Sequence, residues 1–329
     1  MKKFLIIQTA FIGDAILASA VLEHFHKHMP EAKLDILVRA GNESLFDHHP
    51  FIQRVLVWDK KNEKYRGLLR LLKLIRSEQY EGVLNLQRYA ASAFLTAFSG
   101  ARKTAGFASS WLSLFFTDRV QHRIGDKSDV NYLHEVDRCI RVTRTWLPIE
   151  KGKPALYPSE ADQKSILQYC SQPFITISPS SVWFTKQTPL SVWKELMQNS
   201  AQYRIYLLGG LSDADSCHEL AASFSNAEVL AGKLSFLQSA ALMKCALMNY
   251  TNDSAPLHLC SATNAPVTAV FCSTIPEFGF GPLSDKASVV QSRLDLKCKP
   301  CGIHGHASCP RGHFDCGKIS IGDLTDTLP

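Results

Sequence analysis

The sequence lacks any charge-free apolar run of about 18 residues, the length expected of a helix that crosses a bilayer. Its apolar opening, Phe4–Ile7, gives way to Gln8 and Thr9 with no cleavage-type signal behind it, which argues against a secretory leader. Low-complexity segments and short-period repeats are also missing, so disordered and solenoid architectures are excluded. A length of 329 residues with 46% hydrophobic residues predicts two domains, each with its own core.

A strong charge of one sign is absent as well. Lys and Arg number 36 and Asp and Glu number 30, which leaves a formal net charge of +6. This excess suits anionic partners but not nucleic acid, which needs a denser basic surface. Ten cysteines without an export signal indicate a reducing, cytoplasmic compartment rather than disulfides. Six of them are scattered and are expected to be small buried residues: Cys139, Cys170, Cys217, Cys245, Cys260 and Cys272.

Strand-like and helix-like segments alternate along the chain. In the first half, β-prone runs at residues 4–8, 33–38, 54–58 and 82–86 are separated by helical patterns after Asp14 and at residues 65–77. A similar series runs from Phe174 to Phe271, after a proline-punctuated stretch around residues 148–158. The pattern predicts an α/β protein with two parallel-sheet domains that face each other across a cleft. Ligands in such sheets bind beyond the carboxyl ends of the strands.

The first candidate site follows the first strand. Gly13 permits close backbone approach, and Asp14 stands where a helix starts, so its carboxylate can accept a proton from a ligand. The alternative is that Asp14 only stabilises the helix N-terminus. The loop has neither the spaced glycines of a dinucleotide fold nor a Walker A sequence, which argues against a nicotinamide dehydrogenase.

Two loops of the second half offer groups for a diphosphate and a ribose. Ser180, Ser181 and Lys186 follow a strand and can hold phosphate oxygens, although a solvated loop would look the same. Asp213 follows two glycines and can bind ribose hydroxyls or cap a helix. Together with Asp215 it could also be read as the metal-binding acid pair of a GT-A enzyme, although it stands at a helix start in a two-domain pattern.

A fourth loop combines a helix start with a histidine. Asp253 or Ser254 can cap this helix, Pro256 suits its first turn, and the exposed amides of that turn make an anion site. His258 lies one turn further along, within reach of the same anion. A lone histidine on a helix is usually structural, but this one lies in a loop of the class expected to bind ligands.

These loops, taken together and in order, resemble glycosyltransferase family 9, the heptosyltransferases of lipopolysaccharide core assembly. The resemblance covers nearly the whole chain. The C-terminal tail of the chain is similar to that of the family's second-heptose enzymes. The matching segments are Ile12–Asp14, Ser180–Ser181 with Lys186, Leu207–Gly210, Ala231–Ser235, Asn252–His258, Cys298–Cys301 and Cys309–His313.

The resemblance implies a GT-B fold, with residues 1–158 binding the acceptor and residues 159–329 binding ADP-L-glycero-D-manno-heptose. It implies an inverting, metal-independent transfer without a cofactor, in which Asp14 is the general base and Lys186 stabilises the leaving diphosphate. Thr188 and Ala255 depart from the family, which usually has tryptophan and glycine there. The donor-binding residues implied are Ser180, Ser181, Asp213, Leu234, Asp253, Ser254, Ala255 and His258.

The expected acceptor is a phosphorylated glycolipid of the lipid A/Kdo type at the inner face of the inner membrane. Gly13, Arg88 and Arg102 are the predicted acceptor-binding residues. A helix at residues 66–76 should carry basic residues on one side and leucines on the other, which suits peripheral attraction to that membrane or simply a solvated face. Its basic residues are Arg66, Arg70 and Lys73, preceded by Lys60, Lys61 and Lys64.

The C-terminal tail concentrates thiols and a histidine. Zinc binding there is chemically possible, but free thiols or an oxidised pair fit equally well, and no metal is expected in the reaction. Two other functions stay open: a nucleotide-sugar-binding protein without activity, and a GT-B transferase that uses another nucleotide sugar. The five candidate zinc ligands are Cys298, Cys301, Cys309, His313 and Cys316.

Overall fold

The computed structural model describes residues 2–329, which divide into two compact units. The first unit runs to Ile124 and resumes at Leu133–Tyr157; the second contains Gly125–Tyr132 and Pro158–Pro329. Gly125–Tyr132 belongs to the second unit although it precedes the last segment of the first unit, and no pattern in the sequence predicts this. The division says nothing of ligands, so the assignment of acceptor and donor to the two halves stays a prediction.

The first unit is built on a six-stranded sheet in which every observed pairing is parallel. Its strand order is β3-β2-β1-β4-β5-β6, so β1 lies inside the sheet, between β2 and β4. Residues 4–8 of β1 are all buried, as expected of a strand covered on both faces. The strands are β1 Lys3–Gln8, β2 Lys33–Arg39, β3 Ile52–Trp58, β4 Gly82–Asn85, β5 Lys103–Phe107 and β6 Asp118–Val120.

Four α-helices accompany this sheet: α1 Ile12–His28, α2 Lys64–Ser77, α3 Ala90–Ala97 and α4 Glu135–Arg141. Side chains of α2 and α3 pack on one hydrophobic cluster of the sheet, whereas α1 packs against α4. The position predicted for α2 is correct, but the predicted separation of basic residues and leucines onto opposite sides of the helix is incomplete. Leu71 and Ile75 are buried, but Leu69 is 61% exposed among the basic residues.

The second unit contains another parallel six-stranded sheet, of order β12-β11-β10-β7-β8-β9. The predicted α/β class with two parallel sheets is therefore confirmed. The strands are β7 Phe174–Ser178, β8 Arg204–Leu207, β9 Ala227–Val229, β10 Met248–Asn252, β11 Val267–Phe271 and β12 Ala287–Gln291. The helices are α5 Glu160–Ile166, α6 Leu190–Gln198, α7 Ala214–Ala221, α8 Phe236–Cys245, α9 Ala255–Thr263 and α10 Ile321–Thr325.

The end of the chain belongs to the core of the second unit. Cys316, Ile319 and Leu324 are buried in the same hydrophobic cluster as β7, β8 and β10 residues, and α10 packs on α6. The tail is thus part of the fold rather than an appendage. Within residues 2–329, no helix combines the length and hydropathy that a membrane span requires.

Candidate active site

Asp14 lies in the first turn of α1, at the carboxyl edge of the first sheet. The helix begins at Ile12, two residues earlier than the sequence indicated, so Gly13 is helical rather than part of the preceding turn. Phe11, at the N-cap position, is extended and offers no side-chain cap. The positive end of the helix dipole therefore acts on the half-buried Asp14 carboxylate.

The backbone just before Asp14 is held from three sides. Lys60 Nζ donates to the Thr9 carbonyl at 2.7 Å, and Asn42 Nδ2 donates to the Ala10 carbonyl at 3.1 Å. The buried Gln8 Oε1 accepts from the Gln87 amide and, at 3.4 Å, from the Ala10 N–H. These contacts fix the loop that presents the first turn of α1. Sequence reasoning missed Asn42 and Gln87, although Gln87 follows β4 at the same sheet edge.

Two cations accompany that loop. Burial, with a further contribution from the neighbouring Arg39, lowers the pKa of Lys60 to about 8. The Arg39 guanidinium lies over the Phe11 ring, 5.3 Å from its centroid. A half-buried ammonium and an exposed guanidinium beside the Asp14 loop are suited to an anionic ligand. The sequence pattern indicates Lys60 only as part of a basic surface.

The predicted acceptor residues do not lie together. Gly13 and the half-buried Arg88 are at the carboxyl edge of the sheet, in α1 and after β4. Arg102 precedes β5, so it lies at the amino edge, where it is 81% exposed and 3.6 Å from Glu81. Because the strands are parallel, the structure places Arg102 at the edge opposite Asp14. Its role in acceptor binding stays a prediction that this placement does not favour.

In the second unit, two predicted donor-binding residues form an ion pair. Lys186 Nζ is 2.8 Å from Asp253 Oδ2, and their side chains are 15% and 8% exposed. Lys186 ends a 3-10 helix after β7, and Asp253 follows β10, the strand next to β7. Thr274 Oγ1 also donates to Asp253 Oδ2 at 2.6 Å. Three loops of one sheet edge thus place a nearly buried ammonium at a fixed point.

Asn252 holds the loop that carries Lys186. Its Oδ1 accepts from the Thr188 N–H at 2.9 Å and from the Thr188 hydroxyl at 2.7 Å. Its Nδ2 donates to the Pro179 carbonyl at 2.7 Å. Both ends of the loop are therefore tied to one fully buried amide. Sequence reasoning missed this role, to which the Thr188 hydroxyl contributes.

The N-terminus of α9 adds amide donors to the same edge. Ser254, at its N-cap, is extended and its side chain caps none of the first N–H groups of α9, while its carbonyl accepts from the Leu257 N–H at 3.1 Å. Pro256 is in the first turn. Ala255 is half-buried and has a helical backbone conformation, which a residue with a Cβ adopts without strain. His258 is 5% exposed, with its ring 6.5 Å from that of Phe280. A helix N-terminus beside a lysine is suited to an anionic ligand.

The Asp213 side chain caps the start of the helical segment to which it belongs. Its Oδ2 accepts from the Gly210 N–H at 2.8 Å, the capping alternative raised by the sequence. A Cβ at Gly209 would lie 2.8 Å from the Asp213 Cβ, so glycine is required there for this close approach. Leu234 is half-buried, just before the capping box of Ser235 that starts α8. Ribose contact by Asp213 and adenine contact by Leu234 stay predictions.

The cysteine-rich tail packs on the Lys186 loop. The His306 N–H donates to Thr185 Oγ1 at 2.8 Å, and the Thr185 N–H donates to the His306 carbonyl at 3.1 Å. The Cys301 N–H donates to the Ser273 carbonyl at 2.9 Å. Ser180 and Ser181, at the start of the loop, are half-buried. The tail therefore supports the loop from outside, a role without any sequence signal.

The tail thiols are free, and burial raises the pKa of Cys316 to about 11. Cys298 Sγ lies 3.8 Å from His313 Nε2. Among residues 2–329, the group with metal-ligand atoms all within 4.8 Å of one another is a different one: His24, His28 and Glu150. There the Lys27 ammonium already neutralises Glu150 at 2.6 Å. Zinc binding by Cys298, Cys301, Cys309, His313 and Cys316 stays a prediction.

Comparison with known proteins assigns the chain to a family. A family model described as glycosyltransferase family 9 (heptosyltransferase) matches residues 68–307. The chain belongs to this family. It is similar to lipopolysaccharide heptosyltransferase 3 of Escherichia coli, at 25% identity over 80% of this chain and 82% of the relative.

Solved structures of heptosyltransferases share the fold. The E. coli ADP-heptose lps heptosyltransferase II superimposes with a TM-score of 0.79 at 21% identity, covering 99% of this chain and 97% of that one. The E. coli heptosyltransferase WaaC with ADP gives 0.72 at 20% identity, covering 87% and 92%. With two parallel six-stranded sheets, these similarities confirm the predicted GT-B fold.

Proposed function

We propose that this family 9 enzyme transfers heptose from ADP-L-glycero-D-manno-heptose to the phosphorylated inner core of lipopolysaccharide. The observation that carries the proposal is the Lys186–Asp253 pair beside the uncapped start of α9, at one edge of the second sheet. A lysine and helix amides together suit a diphosphate. The solved relative WaaC binds ADP, a nucleotide that carries this group.

The donor diphosphate binds at this edge. Lys186 contacts its oxygens together with Ser180, Ser181 and the first amides of α9, while Asp253, Ser254, Ala255 and His258 line the sugar and phosphates. When the bond to the sugar breaks, ADP leaves as an anion, which needs positive charge but no proton. Lys186 and the α9 amides supply that charge in a partly buried setting, where it acts more strongly than in water. The scheme calls for no cofactor and no metal ion.

Asp14 is the general base. Its carboxylate takes the proton from the acceptor hydroxyl while that oxygen attacks the anomeric carbon from the side opposite the diphosphate. One displacement of this kind inverts the anomeric configuration. A single carboxylate suffices because the leaving group needs no acid. The contacts of Lys60, Asn42 and Gln8 with the loop before α1 support the fixed placement that a base needs.

The acceptor is a phosphorylated lipid A/Kdo-type glycolipid, and the enzyme acts peripherally at the cytoplasmic face of the inner membrane. Lys60 and Arg39 supply cations beside Asp14 for the anionic groups of this acceptor. No nucleic acid takes part.

The acceptor KM is expected to rise as the pH increases through about 8. The Lys60 pKa is lowered to about 8, so its ammonium is present below that pH and is lost above it, together with its attraction to an anionic acceptor. Initial rates at varied acceptor concentration from pH 6.5 to 9.5 test this. A Lys60→Arg variant keeps its charge and should show a flat KM; the same rise in both proteins would contradict the role of Lys60.

A thermal-shift comparison of ADP, UDP and GDP tests the donor assignment. At about 100 times its Kd a ligand adds about 2.7 kcal/mol of stability, which for a domain of this size raises Tm by about 5–10 °C. We expect this shift with ADP alone. A larger shift with UDP or GDP would indicate a transferase for another nucleotide sugar, and an ADP shift without heptosyl transfer would indicate a binding protein without activity.

A further inference from the structure

The first unit exposes four large apolar side chains on one surface. Phe98 ends α3 with 43% of its surface exposed, and Trp111, Leu114 and Phe115 belong to the 3-10 helix Trp111–Phe115, with 69%, 67% and 61% exposed. Phe98 and Phe115 are in ring contact, with centroids 6.3 Å apart. We name these four residues the aromatic ridge. Contiguous apolar surface of this kind is uncommon in water and marks interaction sites.

The aromatic ridge packs on a buried hydrophobic cluster. Beneath it Ala93, Leu112 and Phe116 form a buried cluster that joins α3 to the 3-10 helix. The Ser110 side chain accepts from the Leu112 N–H at 3.3 Å and caps the 3-10 helix. The exposed side chains are therefore presented by ordered, buried structure and do not result from a loose loop.

The surface around the ridge is basic. Helix α2 covers the same face of the sheet as α3, and the Arg76 Cγ lies 3.8 Å from where a Cβ would stand on Gly100, two residues after Phe98. Neither α2 nor the segment 90–115 contains an Asp or a Glu. The basic residues of these two segments are Lys64, Arg66, Arg70, Lys73, Arg76, Arg102 and Lys103.

We propose that the aromatic ridge inserts into the interfacial layer of an anionic phospholipid bilayer, with the basic residues of α2 on the surrounding headgroups. The inference rests on the proposed function, since it gives the enzyme a way to reach an acceptor that is itself a membrane lipid. Tryptophan and phenylalanine are favoured at the headgroup level, and lysine and arginine are attracted to anionic lipid. Arg70 pairs with Glu63 and Arg102 with Glu81, which leaves Lys73 and Arg76 as the basic residues of α2 that the test addresses. An apolar ridge beside these cations complements an anionic lipid surface, whereas a protein partner would have to be both apolar and acidic.

Sedimentation of the full chain with phosphatidylcholine vesicles, with and without phosphatidylglycerol, tests the proposal. The vesicles contain no glycolipid acceptor. We expect binding to the anionic vesicles, reduced about tenfold or more by Trp111→Ser with Phe115→Ser, because most of the inserted apolar area is lost. Lys73→Gln and Arg76→Gln should each reduce it about fivefold, with the effect weakening at high salt. The matched control is Leu167→Ser, a 63% exposed leucine of the second unit, which should bind as the wild type does.

A second readout locates the contact. Lipids brominated in their acyl chains should quench the fluorescence of Trp111, and the quenching should disappear in Trp111→Phe while vesicle binding persists. Equal vesicle binding by the wild type and the folded Trp111→Ser, Phe115→Ser variant, or quenching that persists in Trp111→Phe, would overturn the proposal. A dimer of the wild type that this variant abolishes, without vesicle binding, would assign the ridge to a second copy of the chain instead.

The two proposals fail separately. Ridge variants should keep the wild-type kcat on a water-soluble, deacylated acceptor, because no ridge residue belongs to the candidate active site. Ridge-dependent vesicle binding by a chain that transfers no heptose would overturn the proposed function and leave the membrane contact intact. Matching thermal midpoints of the wild type and the variants exclude misfolding as the cause of any loss.

Discussion

Asp14→Asn is expected to lower kcat by about 10²–10⁴ while leaving the Kd for ADP unchanged, because the variant loses the general base but no group of the donor site. Asparagine has nearly the same shape as aspartate, so the first turn of α1 and the loop before it keep their contacts. The loss of a favourable charge at the helix N-terminus should lower the stability of the protein.

Steady-state transfer rates with ADP-heptose, together with ADP binding by calorimetry, measure both quantities. Asp215→Asn is the matched control, since Asp215 is an exposed acid in the first turn of α7. Its replacement should leave transfer and binding unchanged, which would also exclude the reading of Asp213 and Asp215 as a metal-binding pair. Wild-type turnover by the Asp14→Asn protein would remove Asp14 from the mechanism.

Lys186→Met should behave differently, with both ADP affinity and kcat reduced. The ammonium faces the ground-state diphosphate as well as the charge that grows on it during transfer, and loss of one such group typically lowers kcat by about 10²–10³. The change also leaves the nearly buried Asp253 carboxylate without its cation, which should lower the free energy of unfolding. Adding Asp253→Asn to Lys186→Met should recover much of that stability without restoring activity.

Lys194→Met is the control for this series, because Lys194 is 41% exposed and pairs 3.5 Å from Glu219 on the outer surface of the same unit. It should be close to neutral, as exposed ion pairs usually contribute about 0–1 kcal/mol. Unchanged ADP affinity in Lys186→Met would contradict the assignment of the diphosphate to this loop. Equal recovery of activity and stability in the double variant would contradict it as well.

The sequence predicted most of the central strands because their apolar runs are continuous, as in Phe4–Ile7 and Val267–Phe271. It missed β5, the five-residue segment Lys103–Phe107; β6, which has three residues; and β12, which is an edge strand with an exposed Ala287 and Val289. Short or half-exposed strands are formed by pairing with a neighbour, and pairing leaves no local pattern. The excursion of Gly125–Tyr132 is invisible to local patterns for the same reason.

Those residues of the candidate site that follow directly on a predicted strand could be identified from the sequence. Lys186 and Asp253 were both proposed from the ends of strands, but their ion pair depends on β7 lying next to β10. Asn252 was missed because its partners, Pro179 and Thr188, are more than 60 residues away along the chain. Lys60 looked like a surface charge because its burial depends on the packing of the loop at Thr9. Contacts between distant segments therefore account for what sequence alone left out.

The central claim is tested most directly by incubating the purified chain with ADP-L-glycero-D-manno-heptose and a heptose-acceptor core oligosaccharide, and determining the new linkage by NMR. We expect one added heptose whose anomeric configuration is opposite to that of the donor. Retention of configuration, or transfer from UDP- or GDP-sugars with none from the ADP-heptose, would contradict the account.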